Sequence, residues 1–238
     1  MKSFYPIYLT RLDEKKVVLL GGDEEAERKL DELLSFGARV HVLSEEITDE
    51  MRRWHDGGRF KWTAREYRFG DLEGAGFVVA ADYSQQMAEE AAGEAKERNL
   101  IINVMDNIPL SNSAFGSVVR RGKLTVSFST NGLAPALAVR LKQRFQRELD
   151  EAYGEFLELA EQIRPSIMAL MHDSEARKKR WYEWVDSEVI PLLREGRRDD
   201  ALALTEQIWG RAIMKRSGLR AKEKLLVRLL RKAAALFS

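Results

Sequence analysis

Val17-Val18-Leu19-Leu20-Gly21-Gly22-Asp23-Glu24-Glu25-Ala26 decides how this chain folds. A short apolar run ends in two glycines, and a helical pattern starts at once. That is a strand, a tight turn and a helix start. Strand Lys16 to Leu20 is followed by a helix over Asp23 to Phe36. Its apolar face carries Ala26, Leu30, Leu33 and Leu34, and Gly37 is its stop.

The same alternation continues downstream. Arg39 to Leu43 reads as a second strand, and a short helix runs through Trp54 after Ser44-Glu45-Glu46. Arg59 to Thr63 is a third, short strand. Phe77 to Ala81 is a wholly apolar strand, as expected where both faces of a sheet are covered, and Leu100 to Val104 is a fifth, largely apolar strand. Ser84 to Arg98 between them is helical. Strands alternating with helices predict an α/β domain with a Rossmann-like, doubly wound parallel sheet. A ligand of such a sheet belongs at the carboxyl ends of its strands. Those ends carry Gly21-Gly22, Glu45, Asp82 and Asp106.

After residue 106 the pattern changes. Pro109 to Ser113 is loop-like, Lys123 to Ser129 alternates as a strand, and a helix opens near Pro135. From Leu141 onward the sequence is helical almost throughout, punctuated by Pro165, Pro191, Gly196 and Gly210. These changes divide the chain into 1–112, 113–147 and 148–238.

Composition narrows the chemistry. Of 238 residues, none is cysteine, which removes thiolate catalysis, disulfides and thiolate metal sites. His41, His55 and His172 are too scattered for a zinc site, so no metal ligand is assigned. The net charge of +1 argues against nucleic acid as a partner. No stretch has the length of a membrane span, and the first residues lack a signal core, so a cytoplasmic protein is expected.

The turn departs from the dinucleotide fingerprint Gly-x-Gly-x-x-Gly/Ala. Gly21 and Ala26 fit its first and last positions, while Asp23 takes the place of the second glycine. Two anions about 4 Å apart repel by about 1 kcal/mol in water and by several times that in a drier site. Asp23 is equally a helix N-cap, with Glu24 and Glu25 on the positive helix end. Glu45, 24 residues beyond Gly21, suits a ribose hydroxyl contact and hence NAD over NADP, or merely starts the next helix with Glu46. Asp106 is either a proton-moving carboxylate or a loop cap. Arg120, Arg121, Lys123, Arg140, Lys142 and Arg144 form a basic cluster that suits a polycarboxylate, or a solvated rim. Arg211 to Lys232 holds nine Lys or Arg residues and one acid, on a leucine-faced helix that packs by that face or meets an anionic surface.

These motifs, in this order, resemble the precorrin-2 dehydrogenases, the siroheme-synthase N-terminal module and its free-standing relatives. The resemblance is carried by Gly21 to Lys29, Leu33-Leu34, Gly37-Ala38 and Val40. Phe77 to Ala81, Asn103-Val104-Met105-Asp106 and Ser113 to Gly116 extend it. So do Ser129-Thr130-Asn131-Gly132 with Ala134-Pro135-Ala136, and Tyr153 to Leu157. It implies a Rossmann-like NAD-binding domain over 1–112, a dimerisation region over 113–147 and a helical domain over 148–238. It implies NAD as cofactor, a homodimer and oxidation of precorrin-2 to sirohydrochlorin on the path to sirohaem, with iron insertion in some relatives. It places the catalytic aspartate on Asp106. Cofactor contacts fall on Gly21, Gly22, Asp23, Glu24, Glu25, Glu45, Glu46 and Asp82. Substrate contacts fall on Ser113, Thr130, Asn131, Arg120 and Arg140. The family normally has glycine at 23, a small apolar residue at 25 and threonine at 82. The alternative is therefore a degenerate cofactor site, in a tetrapyrrole-binding chelatase or carrier without dehydrogenase activity. A third reading makes the sheet a scaffold for a basic tail that binds an anionic polymer.

Overall fold

The computed structural model describes residues 4–219. The basic stretch from Arg220 to Lys232 therefore lies outside the described residues. The chain divides into two compact units, Met1–Phe115 and Gly116–Ser238.

The first unit is a five-stranded parallel sheet in the order β3-β2-β1-β4-β5. Its strands are β1 (Lys16–Leu20), β2 (Arg39–Ser44), β3 (Lys61–Ala64), β4 (Ala75–Ala80) and β5 (Ile101–Val104). Helices α1 (Glu24–Ser35), α2 (Asp49–Asp56) and α3 (Gln85–Glu97) lie between strands in sequence. The order reverses at β1, so the doubly wound sheet expected from the alternation is what forms.

Alternation along the strands sorts their side chains onto two faces. Val17, Leu19, Val40, Val42, Phe77 and Val79 join Ala26, Leu30, Leu33 and Met51 in one core. Val18, Leu20, Leu43, Val78, Ala80, Ile102 and Val104 join Ala88, Ala91 and Ala95 in the other. Each fully buried aliphatic side chain contributes about 1.5–3 kcal/mol, which makes β1, buried on both faces, the spine of the unit.

Two polar devices complete it. The Glu94 side chain is fully buried and accepts from the Tyr67 hydroxyl (2.6 Å), the Gly70 amide (2.8 Å) and Arg98 Nε (2.7 Å). It thereby fixes the segment between β3 and β4 to α3. Beyond a 3-10 turn at Ile108–Leu110, residues 111–113 run beside β5. Ser111 Oγ meets the Val104 amide and carbonyl at 2.9 and 3.1 Å. Asn112 accepts from the Ile102 amide and donates to the Leu100 carbonyl, both at 2.8 Å. The outward-facing backbone groups of the edge strand are satisfied in this way.

The second unit opens with an antiparallel hairpin of β6 (Ser117–Arg121) and β7 (Leu124–Phe128). Only β7 is apparent in the sequence, because Arg120 and Arg121 break the apolar alternation of β6. Gly122, at φ +53, occupies the first position of the two-residue turn, where a left-handed conformation is required. Helices α4 (Pro135–Glu148), α5 (Glu151–Leu170), α6 (Ser174–Val185), α7 (Val189–Arg194), α8 (Arg198–Trp209) and α9 (Arg211–Ser217) follow.

Gly196 and Gly210 separate helices, as expected, at φ +70 and +87. Pro165 does not punctuate: it lies inside α5. Burial of Leu159, Ile163 and Ile167 on the same helix, in a core with Trp184 and Trp209, outweighs the lost amide bond.

Candidate functional site

The carboxyl ends of β1, β2 and β4 surround a crevice of about 500 Å³, a size typical of small-molecule sites. Its walls include Gly21, Gly22, Asp23, Ser44, Glu45, Glu46, Glu66, Asp82 and Tyr83. Both glycines are needed for the loops to meet. Gly21, at φ +116, would place a Cβ 2.6 Å from the Asp82 amide nitrogen. A Cβ on Gly22 would stand 1.9 Å from the Glu46 carbonyl oxygen. The Thr48 amide in turn donates to the Gly22 carbonyl at 3.1 Å. Only glycine lets the turn after β1 lie against its two neighbours.

Asp23 is the N-cap of α1. Its Oδ1 accepts from the amides of Glu25 (3.0 Å) and Ala26 (2.8 Å). The carboxylate thus takes up two of the donors that a helix start offers to a phosphate. The amide of Glu24, the first helical residue, meets no acceptor among the described residues. Asp23 lies at the wall and leaves the crevice open.

Five carboxylates line the crevice, those of Asp23, Glu45, Glu46, Glu66 and Asp82, and among the described residues no lysine or arginine does. All five residues are exposed, so each repels an incoming phosphate near the water limit of about 1 kcal/mol.

Of the residues expected to bind cofactor, Gly21, Gly22, Asp23, Glu45, Glu46 and Asp82 come together here. Glu24 and Glu25 do not line the crevice. They sit in the first turn of α1, with Glu25 3.9 Å from Arg28.

Asp106 follows β5, exposed and in the left-handed region at φ +57. Tyr83, which the sequence reading did not single out, lines the crevice and donates its hydroxyl to the Met105 carbonyl at 2.5 Å. Burial raises the pKa of the Tyr83 phenol, and the Asp106 and Glu25 carboxylates raise it further. The phenol therefore stays protonated and remains a donor.

The expected substrate residues have local tasks. Ser113 Oγ donates to the Ile102 carbonyl at 2.9 Å. In the second unit, Thr130 Oγ1 accepts from the Ala134 amide at 3.2 Å, and Asn131 is left-handed at φ +53. Arg120 and Arg140 are exposed on β6 and α4; Arg120 donates to the Gly122 carbonyl and Arg140 to Gln143. Among the described residues, no helix is long and apolar enough to cross a membrane.

Residues 8–117 match a family described as putative NAD(P)-binding, and residues 152–208 match the sirohaem synthase dimerisation region. The siroheme synthase of Xylella fastidiosa (strain M12) is 31% identical over 219 residues, which are 91% of this chain and 45% of that protein. The chain is a relative of the siroheme synthases. Siroheme synthase 1 of Pectobacterium atrosepticum is 29% identical over 84% of the chain and 41% of its own length. The chain thus spans less than half the length of these siroheme synthases. Among solved structures, SirC, a precorrin-2 dehydrogenase, superposes with a TM-score of 0.68 at 22% identity, over 86% of this chain and all of that one. This siroheme-synthase relative therefore shares the fold of SirC.

Proposed function

We propose that this chain binds NAD in the crevice after β1 and oxidises precorrin-2 to sirohydrochlorin. The observation that carries the proposal is the open crevice at the switch point of the sheet, built on Gly21 and Gly22, in a chain whose relatives are siroheme synthases. Gly21, Gly22 and the start of α1 would hold the pyrophosphate. Glu45 and Glu46, at the end of β2, would take the ribose hydroxyls and disfavour a 2′-phosphate. NAD supplies the hydride acceptor, and Asp106 assists proton removal from the substrate or orients the macrocycle. The exposed guanidinium groups of Arg120 and Arg140 suit the carboxylates of a tetrapyrrole. Self-association as a homodimer is assigned to the second unit, where the dimerisation match lies.

The test combines calorimetry with NAD and anaerobic turnover of precorrin-2 followed by absorbance. NAD binding at micromolar levels with NAD-dependent turnover is expected. Asp106→Asn should lower kcat by at least about a hundredfold with NAD affinity unchanged. One observation favours a second reading: Asp23 already occupies two amides at the start of α1. Tetrapyrrole binding without any NAD binding would select a chelatase or carrier instead.

A further inference from the structure

Residues Val104 to Asn107 form a turn closed by the Asn107 amide on the Val104 carbonyl at 3.1 Å. Its third residue is Asp106, at φ +57, while Met105 before it is not in the positive-φ region. That is the type II arrangement, which favours glycine at the third position. A type I turn would link the same ends with Asp106 at negative φ. The two differ by a flip of the central peptide, here the one joining Met105 to Asp106. The flip would also redirect the Cα–Cβ bond of Asp106.

One contact fixes the pivot of the flip and another opposes it. The Met105 amide donates to the Ala80 carbonyl at 2.9 Å, which ties that residue to the sheet. The Met105 carbonyl, the group that would swing, accepts from the Tyr83 hydroxyl at 2.5 Å. A left-handed aspartate is unfavourable by an amount that one hydrogen bond is of a size to offset. Tyr83 is also part of the crevice wall.

We infer that Tyr83 is a positioning residue: its hydroxyl selects the turn that presents Asp106 beside the cofactor crevice. The inference rests on the role proposed above for Asp106. Tyr83 touches neither reacting atom and acts through the peptide before the carboxylate.

The test is Tyr83→Phe, which keeps the ring and removes the donor. In the type II turn the Met105 Hα faces the Asp106 amide proton and in the type I turn it faces away, so the NOE between them should weaken at least about threefold, while amide exchange at Ala81, bonded to Leu20 in the sheet, stays unchanged as the control for folding. The kcat for precorrin-2 should fall about tenfold, with KM for precorrin-2 and the Kd for NAD within twofold of wild type. An undiminished NOE between the Met105 Hα and the Asp106 amide proton would overturn the inference whatever the activity. A loss of NAD affinity matching the loss of kcat would overturn it too, by making Tyr83 a cofactor contact. If wild type fails to oxidise precorrin-2 but Tyr83→Phe still weakens that NOE, the proposed reaction is wrong and the turn-selecting role stands.

Discussion

The Asp23 carboxylate meets the Ala26 amide at 2.8 Å, so the helix start beside the crevice carries its own anion. Glycine at this position frees both first-turn amides and removes a charge from the wall. The loss of the cap to glycine costs only a few tenths of a kcal/mol. One unit charge fewer near a phosphate is worth about 1 kcal/mol. Asp23→Gly should therefore bind NAD about fivefold more tightly in calorimetry, with a melting temperature close to wild type. Weaker binding by the variant would show that the aspartate serves the ligand.

The wall of five exposed carboxylates gives NAD binding an unusual salt dependence. Most anion sites weaken as salt rises, because their attracting cations are screened. Here screening relieves repulsion, so NAD affinity should rise roughly two- to threefold between about 10 and 150 mM salt. NADP, with a further phosphate, should bind more weakly than NAD and show a steeper rise. Titrations at several salt concentrations read both effects.

His41 provides a pH signature in the scaffold. Its Nε2 lies 2.8 Å from Thr63 Oγ1. Burial lowers its pKa below 6.5, helped by Lys16, Lys61 and Arg65 and opposed by Asp71. The unfolded chain therefore takes up the proton first as pH falls. The stability contributed by the neutral ring is complete above pH 6.5 and is lost as pH drops from there through the lower folded-state value. Urea unfolding of His41→Gln should show a shallower fall in stability than wild type between about pH 7.5 and 5.5.

Glu94 is the polar group on which the first unit most depends. Glu94→Ala leaves the Tyr67 hydroxyl, the Gly70 amide and Arg98 without their shared acceptor. The loss should be about 3 kcal/mol by urea denaturation. Tyr67→Phe, which removes one donor and leaves the carboxylate two others, should cost about 1 kcal/mol.

The first unit was legible because its signals are local and mutually consistent. Val17 to Leu20, Gly21-Gly22 and the face of Ala26, Leu30 and Leu33 each point to strand, turn and helix. The observed elements start and stop within one or two residues of those positions. Asp23 was legible as two things at once, cap and fingerprint position, and only its contacts show that it is a cap that leaves the crevice open. Tyr83 was not legible, since a tyrosine after an apolar strand belongs to no periodic pattern. Its meaning comes from Met105, 22 residues away. β6 was hidden because Arg120 and Arg121 outweighed Val118 and Val119. Pro165 misled because a proline predicts a break from local chemistry, whereas packing around Ile163 and Ile167 is decided by helices far along the chain.

The seam that Ser111, Asn112 and Ser113 lay along β5 also settles how this border of the sheet can meet other chains. An open border strand is a template on which a second polypeptide can lengthen the sheet, the usual route to strand exchange and fibrils. Here the vacant bonding positions at Ile102 and Val104 are already filled from within the same molecule. Copies of this protein that meet at that border must do so through side chains, and the sheet cannot grow there without first peeling its own seam away.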